Sequence, residues 1–419
     1  MNGTKTNITD APSRYRWVMV AVASIFMAMG VGSLWSISIF LKPIIAEFGW
    51  MRGETAFAFL AGTVSMGVGG MLMGYLTDRY ATRWIVLAGA LGLGTSYLLL
   101  ARLTAAWEFY LYYCLLGGVG SAALWAPLLA TVGNWFEDKK GLAIGLTMSG
   151  VALGSASIIK IAGYLITAYG WQHAYQTLGL ISLLGLIPLV LLVKDPPRPQ
   201  PSAPAGEPSG DQSHSAGTVP GGMSPGALVG WLGMAAFFCC LSFSTNLVHL
   251  GALVQDMGFD ANSAATMLFL LYIFSIIGRI YFGRLSDSAG GIHAFLVAAV
   301  GQTVLIYGFP WMNSYTGLAL LAVAFGMFYS GTMTSLMITV GQRIPLHKRG
   351  ISLGAVNLFG WLGNGLGGYQ GGVFYDLTGS YTLPYGVAAL SGLVAVAILI
   401  VLLVKLRRER LPIATLATV

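Results

Sequence analysis

Long apolar runs recur along the whole chain, and short polar segments separate them. A helix that crosses a bilayer needs about 20 predominantly apolar residues, and each run is long enough. The pattern predicts an all-α membrane protein with twelve spans, although a Gly and a Pro near the end of span 9 leave ten or eleven open. The expected spans are 17–41, 55–76, 84–103, 107–132, 141–167, 173–193, 227–254, 263–284, 292–311, 315–341, 350–375 and 383–405.

The composition supports a membrane protein and excludes a soluble domain. Hydrophobic residues make up 56% and charged residues 9% of the chain, whereas a soluble domain carries about 25% charged residues. The net charge of +7 does not predict nucleic-acid binding, because most Lys and Arg lie in short loops beside apolar runs. The three cysteines lie inside apolar segments, so they predict neither a disulfide framework nor a metal site.

The distribution of Lys and Arg between the loops predicts the orientation in the membrane. If the N-terminus is inside, the outer loops and helix ends carry only Lys42, Arg52 and Arg102, and the inner side is strongly basic. Positively charged loops stay on the cytoplasmic side. We therefore expect a multi-pass protein of the cell (inner) membrane with both termini cytoplasmic. The first apolar segment is too long for a cleaved signal peptide and is expected to be span 1.

A segment rich in Pro, Gly and Ser separates spans 6 and 7 and has almost nothing to bury. Such a composition is typical of a linker. The expected organisation is a cytoplasmic N-terminal arm, an N-terminal six-helix bundle, a cytoplasmic linker, a C-terminal six-helix bundle and a cytoplasmic tail. In that order, they cover residues 1–16, 17–194, 195–226, 227–405 and 406–419.

Arg279 is the most informative candidate residue, because it lies inside the apolar stretch 264–283. A guanidinium at that depth costs from roughly 3 to more than about 10 kcal/mol, and it keeps its charge. Intramembrane charges usually face a water-filled pathway. Arg279 therefore predicts a binding site for an anion; an internal salt bridge that locks two helices together is the alternative.

The two halves of the chain carry matching motifs at a constant separation. Residues 74–78 (GYLTD) correspond to residues 283–287 (GRLSD), and residues 139–145 (KKGLAIG) correspond to residues 348–354 (KRGISLG). Both pairs are 209 residues apart (74 to 283 and 139 to 348). Two motifs at one offset indicate a duplicated unit in parallel orientation, related by a pseudo-two-fold axis. Carriers built from such repeats bind substrate at the repeat interface near the bilayer midplane.

The loop motifs resemble the signature of the major facilitator superfamily, whose fold is twelve helices in two bundles. The resemblance rests on Gly74, Asp78, Arg79, Arg83, Gly283, Arg284 and Asp287. In that superfamily these loops gate the inner side, so the resemblance implies gating roles for Asp78, Arg79, Arg284 and Asp287. The first motif lacks its usual final glycine, and simple helix-end charge is the alternative explanation for the two aspartates.

A narrower resemblance, to the monocarboxylate transporter family, extends over the whole chain. It rests on residues 134–150 (NWFEDKKGLAIGLTMSG), on Gly170-Trp171 before span 6 and on residues 40–42 (FLK) at the end of span 1. The pattern is similar to that of bacterial proton-coupled L-lactate transporters, and also to the oxalate–formate exchangers. In the family, an arginine in span 8 holds the substrate carboxylate, and Arg279 occupies that position.

This chain departs from these families at positions that concern the proton carrier and the number of carboxylates on the substrate. The animal carriers have an aspartate one turn before the arginine and a lysine in span 1, where this chain has Ser275 and Trp35. The identity of the proton carrier is therefore open. Oxalate exchangers add a second cation in span 11, but residues 350–375 contain no Lys or Arg. One guanidinium suits one carboxylate, whose two oxygens accept from its fork of donors, so we expect a monocarboxylate.

Polar residues in spans 7, 10 and 11 are candidates for further contacts with the substrate. They are Asn246, His249, Tyr329 and Asn364. Asn246 and His249 lie three residues apart and share a helix face. For each candidate, a helix–helix hydrogen bond is an alternative of at least equal weight. Lys160 in span 5 lies about 28 Å from the inner end of its helix at 1.5 Å per residue, so snorkelling to the outer interface is expected, with a role in substrate binding as the alternative.

A carboxylate that enters the cell alone is opposed by the membrane potential, and a co-transported proton removes that opposition. The proton carrier should titrate near neutral pH or be shifted there by burial. His249 and Asp256 lie seven residues apart on one face of span 7 and are the proton-coupling candidates, while Asp376 is a weaker one. Asp256 is alternatively a solvated charge at the helix end, or a partner of Arg279 in one state.

The sequence thus predicts a secondary active transporter that moves a small monocarboxylate, such as L-lactate or pyruvate, with a proton by alternating access. An anion exchanger of the oxalate–formate type is the first alternative, and a sensor that binds without transport is the second. An enzyme is not expected, because the sequence shows no nucleophile–base set and no metal cluster. We expect the substrate anion, a proton and the lipid bilayer as partners, no cofactor, metal or nucleic acid, and a monomeric protein.

Overall fold

The structure is a computed structural model that describes residues 15–77, 79–136, 140–195 and 223–408. The gating candidate Asp78 lies outside these residues, as do most of the predicted arm 1–16, linker 195–226 and tail 406–419. The predicted boundaries of the two bundles, 17–194 and 227–405, stay predictions.

Twelve helices long enough to cross a membrane are present in the described residues, which confirms the predicted all-α fold class. They are α1 (Tyr15–Phe48), α2 (Arg52–Thr77), α3 (Thr82–Leu100), α4 (Ala106–Trp135), α5 (Lys140–Tyr169), α6 (Trp171–Val190), α7 (Pro225–Asp256), α8 (Ala261–Ala289), α9 (Gly291–Trp311), α10 (Tyr315–Arg343), α11 (Leu346–Thr378) and α12 (Thr382–Arg408). Eleven of them also have the mean hydropathy of a membrane span. The exception is α11, because nine of its 33 residues are glycine. The Gly and Pro that left the number of spans open lie near the end of α9. There the helix finishes in a short 3-10 turn, Phe309–Trp311.

Two of the helices contain wider π-helical turns, at Leu116–Ser121 in α4 and at Ser182–Leu186 in α6. The turn in α4 packs directly on the backbone of α2. A Cβ at Gly117 would lie 2.7 Å from the carbonyl carbon of Gly62. Two carbon atoms that are not bonded to each other cannot approach this closely. Small residues allow this kind of close backbone approach between membrane helices.

We expect Gly117→Ala to destabilise the protein, because the added methyl group forces α4 away from α2. Inserting extra carbon into a packed core costs about 1–3 kcal/mol, so the unfolding temperature of the purified protein in detergent should fall. The matched control is Gly70→Ala on α2, where a Cβ would meet no described atom within 4 Å. Equal unfolding temperatures for the two variants would contradict the packing argument.

Helices α1–α6 and α7–α12 form two halves that meet most closely at one end of the molecule. We call this end, where α1 ends and α2 begins, the latch end; the opposite end, where α6 ends and α7 begins, is the linker end. Gly354, Gly365 and Gly372 lie on one stripe of α11. On α2, Leu60 lies 2.6 Å from a Cβ built at Gly365, and the Arg52 carbonyl oxygen lies 2.6 Å from one built at Gly372. A Cβ at Gly354, nearer the linker end, would meet no described atom within 4 Å.

Helices α5 and α8 also lie close together at the latch end and move apart towards the linker end. At the latch end, a Cβ on Gly163 of α5 would lie 2.9 Å from the carbonyl oxygen of Ala261 on α8. Near the linker end of α5, a Cβ on Gly145 would meet no described atom within 4 Å. Both helix pairs are therefore in contact at the latch end and apart towards the linker end.

Candidate substrate site and charge network

Arg279 lies on the face of α8 that packs into the protein. It shares a helical stripe with Tyr272 and Ser275, which are 2% and 0% exposed. On the opposite face, Ile280 and Tyr281 are 54% and 56% exposed. Arg279 itself is half-buried. Its position on the helix therefore directs it away from the surface that faces lipid.

No acidic side chain neutralises Arg279 among the described residues. The two ion pairs found among the described residues both involve Asp256, and Arg279 takes part in neither. Its Nε is buried and has no hydrogen-bond partner among the described residues. A buried charge without a counter-charge is costly. The internal salt bridge proposed as the alternative is thus not formed within the described residues.

Tyr329 on α10 is an aromatic neighbour of this guanidinium. Its hydroxyl lies beside Arg279 and Ser275. Its ring stacks on Phe325, with centroids 6.1 Å apart and planes inclined by 13°, and it contacts Phe243 on α7 at 5.3 Å. These contacts hold the tyrosine ring in place, so the structure combines a cation, a hydroxyl group and an aromatic wall.

Asn246 on α7 and Asn364 on α11 each combine a helix–helix hydrogen bond with an unused polar atom. Asn246 Oδ1 accepts from the Tyr385 hydroxyl at 2.9 Å, and its Nδ2 has no partner among the described residues. The backbone carbonyl oxygen of Asn364 accepts from Ser244 Oγ at 2.6 Å, while its Oδ1 likewise has no partner there. Buried polar atoms are normally satisfied, so these two atoms are suited to water or a ligand.

His249 makes two helix–helix contacts and is fully buried. Its Nε2 lies 2.8 Å from the carbonyl oxygen of Gly368, and its Nδ1 lies 3.3 Å from the Tyr381 hydroxyl. A Cβ at Gly371 would lie 2.6 Å from Nε2, so the ring packs closely against α11. The geometry favours the helix–helix hydrogen bond over a substrate contact for His249 in this conformation.

Asp256 ends α7 at the latch end and pairs with two cations from the other half of the protein. Lys42 Nζ lies 2.9 Å from Oδ1, and Arg52 Nη2 lies 2.7 Å from Oδ2. Lys42 also donates to the carbonyl oxygen of Gln255 at 2.6 Å. In this conformation Asp256 is therefore neither an unpaired loop charge nor a partner of Arg279, and it joins the two halves.

A chain of polar contacts connects Asp256 to His249. Arg52, which pairs with Asp256, also donates to the hydroxyl of Tyr381. That hydroxyl is the group that contacts His249 Nδ1. The Arg52 guanidinium lies 3.7 Å from the centroid of the Tyr375 ring, a cation–π contact. The two proton-coupling candidates thus belong to one network that crosses the boundary between the halves.

The predicted gating residues that the structure describes are exposed at the linker end. Arg79 lies over the ring of Tyr75 at 4.5 Å, and Arg284 and Asp287 are exposed in the last turns of α8. Asp78 lies outside the described residues. Because α2 and α11 are apart at this end, the gating role of these residues stays a prediction.

Lys160 forms hydrogen bonds between the halves. Its Nζ donates to Asn262 Oδ1 at 2.8 Å and to Thr266 Oγ1 at 2.7 Å, and both acceptors belong to α8. The amine is therefore satisfied by protein oxygens, and snorkelling to the membrane interface is not needed to explain it.

Lys42, Arg52 and Tyr381 are functional candidates that the sequence analysis did not identify. The available signal was charge complementarity at the outer helix ends. There the N-terminal half carries Lys42 and Arg52, and the C-terminal half carries Asp256 and Asp376. Charges of opposite sign on the two halves, at one face of the membrane, predict contacts that form when that face closes.

Two helical halves in contact at one end, with an unneutralised cation inside, are typical of membrane transporters that work by changing the contact between the halves. The chain belongs to the major facilitator superfamily, since the family model of that description matches residues 17–368 and 232–417. The proteins of this family are transport proteins, so the chain is a transporter and not an enzyme.

Comparison with individual proteins supports the same class. The chain is 28% identical to monocarboxylate transporter 13 of Bos taurus, over 92% of this chain and 89% of that protein. It is 23% identical to monocarboxylate transporter 2 of Homo sapiens, over 88% and 81%, and 25% identical to the riboflavin transporter RibJ of Trypanosoma cruzi, over 73% and 75%. The two proteins named monocarboxylate transporters confirm the resemblance to that family.

A solved structure has the same fold. It is a bacterial homolog of the human lysosomal transporter Spinster in an inward-facing and unoccupied conformation, with a TM-score of 0.67 and 14% identity. The match covers 95% of this chain and 97% of that chain. At this identity the likeness shows the fold alone.

Proposed function

We propose that this protein carries a small monocarboxylate, such as L-lactate or pyruvate, together with a proton by alternating access. The observation that carries the proposal is the guanidinium of Arg279, which is half-buried on the inward face of α8 and has no counter-charge among the described residues. The similarity to two proteins named monocarboxylate transporters supports the same class of substrate.

The substrate carboxylate would accept hydrogen bonds from the fork of Arg279, and the Tyr329 hydroxyl would donate to one of its oxygens. A single central cation matches one carboxylate, and a dicarboxylate would leave its second charge unpaired. Asn246 Nδ2 and Asn364 Oδ1 supply a donor and an acceptor without protein partners among the described residues. They are our candidates for contact with the 2-hydroxyl or 2-keto oxygen.

Asp256 is our candidate for the proton carrier, and His249 is connected to it through Arg52 and Tyr381. The ionised carboxylate of Asp256 attracts Lys42 and Arg52 across the boundary between the halves. A protonated Asp256 loses both ion pairs, so proton uptake would weaken the contact at the latch end. One carboxylate and one proton moved together carry no net charge, so the membrane potential does not oppose the cycle.

We propose that the linker end faces the cytoplasm, because the basic loops lie at that end. The protein would then lie in the inner membrane with both termini in the cytoplasm, and the latch end would face outside. Asp78, Arg79, Arg284 and Asp287 would gate the cytoplasmic side when the linker end closes. The substrate path would run between the two halves of one chain, so a monomer is sufficient.

The proposal is tested by counterflow of labelled lactate into proteoliposomes that contain unlabelled lactate, with a panel of competing acids at two pH values. We expect pyruvate and other small monocarboxylates to compete and oxalate to compete weakly, because only one cation is available. In net uptake, an inward proton gradient should drive accumulation without any internal anion. Competition by oxalate as strong as that by pyruvate would contradict the single-carboxylate site.

The same assay separates the symporter from the exchanger. Uptake that requires an internal counter-anion and ignores the proton gradient would identify an anion exchanger of the oxalate–formate type. Binding of the acids without counterflow would identify a sensor.

A further inference from the structure

The carboxylate of Asp376 caps the first turn of a helix in the opposite half of the protein. Its Oδ1 accepts from the backbone N–H of Arg52 at 3.0 Å, and its Oδ2 accepts from the backbone N–H of Gly53 at 2.6 Å. Arg52 begins α2, whereas Asp376 lies in the last turn of α11. The first N–H groups of a helix have no partner within the helix, and the helix dipole favours a negative charge there.

Two other carboxylates at the latch end cap helices within their own half. Glu108 accepts from the backbone N–H groups that precede α4, at 2.8 and 3.2 Å. Asp260 accepts from the backbone N–H of Ser263 at the start of α8, at 2.9 Å. These caps persist whether the halves are together or apart. The cap that Asp376 provides exists only while α11 touches α2.

A close backbone contact accompanies the cap of Asp376. Gly372 lies one turn before Asp376 on the same face of α11, and a Cβ there would lie 2.6 Å from the carbonyl oxygen of Arg52. Glycine therefore lets α11 come near enough for the carboxylate to reach the N-terminus of α2. Separation of the halves at this end breaks both hydrogen bonds of the cap in one step.

We infer that Asp376 is a gating residue, whose carboxylate holds the latch end closed by capping α2 from the opposite half. Opening of the latch end leaves the N-terminus of α2 without this cap, so the cap favours the conformation in which the linker end is open. The contact is separate from the ion pairs of Asp256, because its donors are backbone N–H groups and not cationic side chains. The inference rests on the alternating access proposed above, but not on the identity of the substrate.

The test measures access to each end of the protein with a membrane-impermeant maleimide. The Thr63→Cys reporter lies at a fully buried position that packs against Gly365 across the boundary, so it reacts only when the latch end opens. The Gly354→Cys reporter lies on the same interface near the linker end, where it meets no described atom within 4 Å. The three native cysteines stay in every protein and set the background.

Asp376→Ala should raise the reaction rate of the Thr63→Cys reporter about tenfold, in line with the usual cost of losing a helix cap. The Gly354→Cys reporter should react more slowly but by a smaller factor, because the same shift in equilibrium changes the population of the major conformation less than that of the minor one. Gly372→Ala, which pushes α11 away from Arg52, should change both rates in the same directions. Asp376→Asn, which keeps one acceptor, should give a smaller change and replaces the alanine variant if that one does not fold.

Glu108→Ala is the matched control, since it removes a carboxylate cap at the same end but within one half. Gly386→Ala is the control for an added methyl group, because a Cβ there meets no described atom within 4 Å. Opposite changes at the two reporters in both test variants, and none in the controls, support the gating role. Unchanged reporters in the test variants, or equal changes in Glu108→Ala, overturn it. The maleimide readout needs no substrate, so it stands even if lactate is not transported.

Discussion

Arg279→Gln should reach the membrane in normal amounts and lose nearly all lactate transport. Glutamine keeps hydrogen-bonding capacity but removes the cation that the substrate carboxylate needs. Removing one partner of a buried charge pair costs about 2–5 kcal/mol, so the ratio of maximal uptake rate to KM should fall by roughly 30-fold or more. Arg279→Lys keeps the charge but loses the planar fork of donors, and we expect a loss of about tenfold for it.

The measurement is the initial rate of labelled-lactate uptake in proteoliposomes, with the unfolding temperature of each variant as a check on folding. Arg102→Gln is the matched control, because Arg102 is exposed at the latch end and its loss should leave uptake unchanged. Normal uptake by Arg279→Gln would show that the guanidinium serves only to hold α8 against α10. An equal loss in Arg102→Gln would point to a general effect of charge on insertion.

The helices and Arg279 could be predicted from the sequence because both leave a local signature. A long apolar run predicts a span wherever its helix packs, and a guanidinium inside such a run is costly in any arrangement. The helix α11 was predicted in spite of its nine glycines, since the runs between them are apolar and the same motif begins α5. The structure explains two of these glycines, because Gly365 and Gly372 let α11 approach α2.

The network at the latch end could not be predicted, because it depends on which helix ends meet. Arg52 is 204 residues from Asp256 and 324 residues from Asp376 in the chain. Each residue by itself resembles an ordinary charge at the end of a span. Similarly, the sequence indicates only that His249 can titrate, whereas the packed structure shows that both ring nitrogens already have partners.

Asp256→Asn should separate exchange from proton-driven accumulation. The amide resembles the protonated carboxylate in shape but cannot gain or lose a proton, and it leaves Lys42 and Arg52 without their counter-charge. Counterflow of labelled lactate should continue, because exchange requires no net movement of protons. Accumulation driven by an inward proton gradient should fall to background.

Asp260→Asn is the control for this prediction, since Asp260 is a second carboxylate at the same end of the protein. Hydrogen bonds from the side chain and backbone of Ser263 lower the pKa of Asp260, so it stays ionised at neutral pH, and asparagine is an equally good helix cap. The control should accumulate lactate normally. If Asp256→Asn also does so while His249→Gln does not, the proton passes through His249. If both accumulate lactate, the proton carrier lies elsewhere, and the charge network serves only to close the latch end.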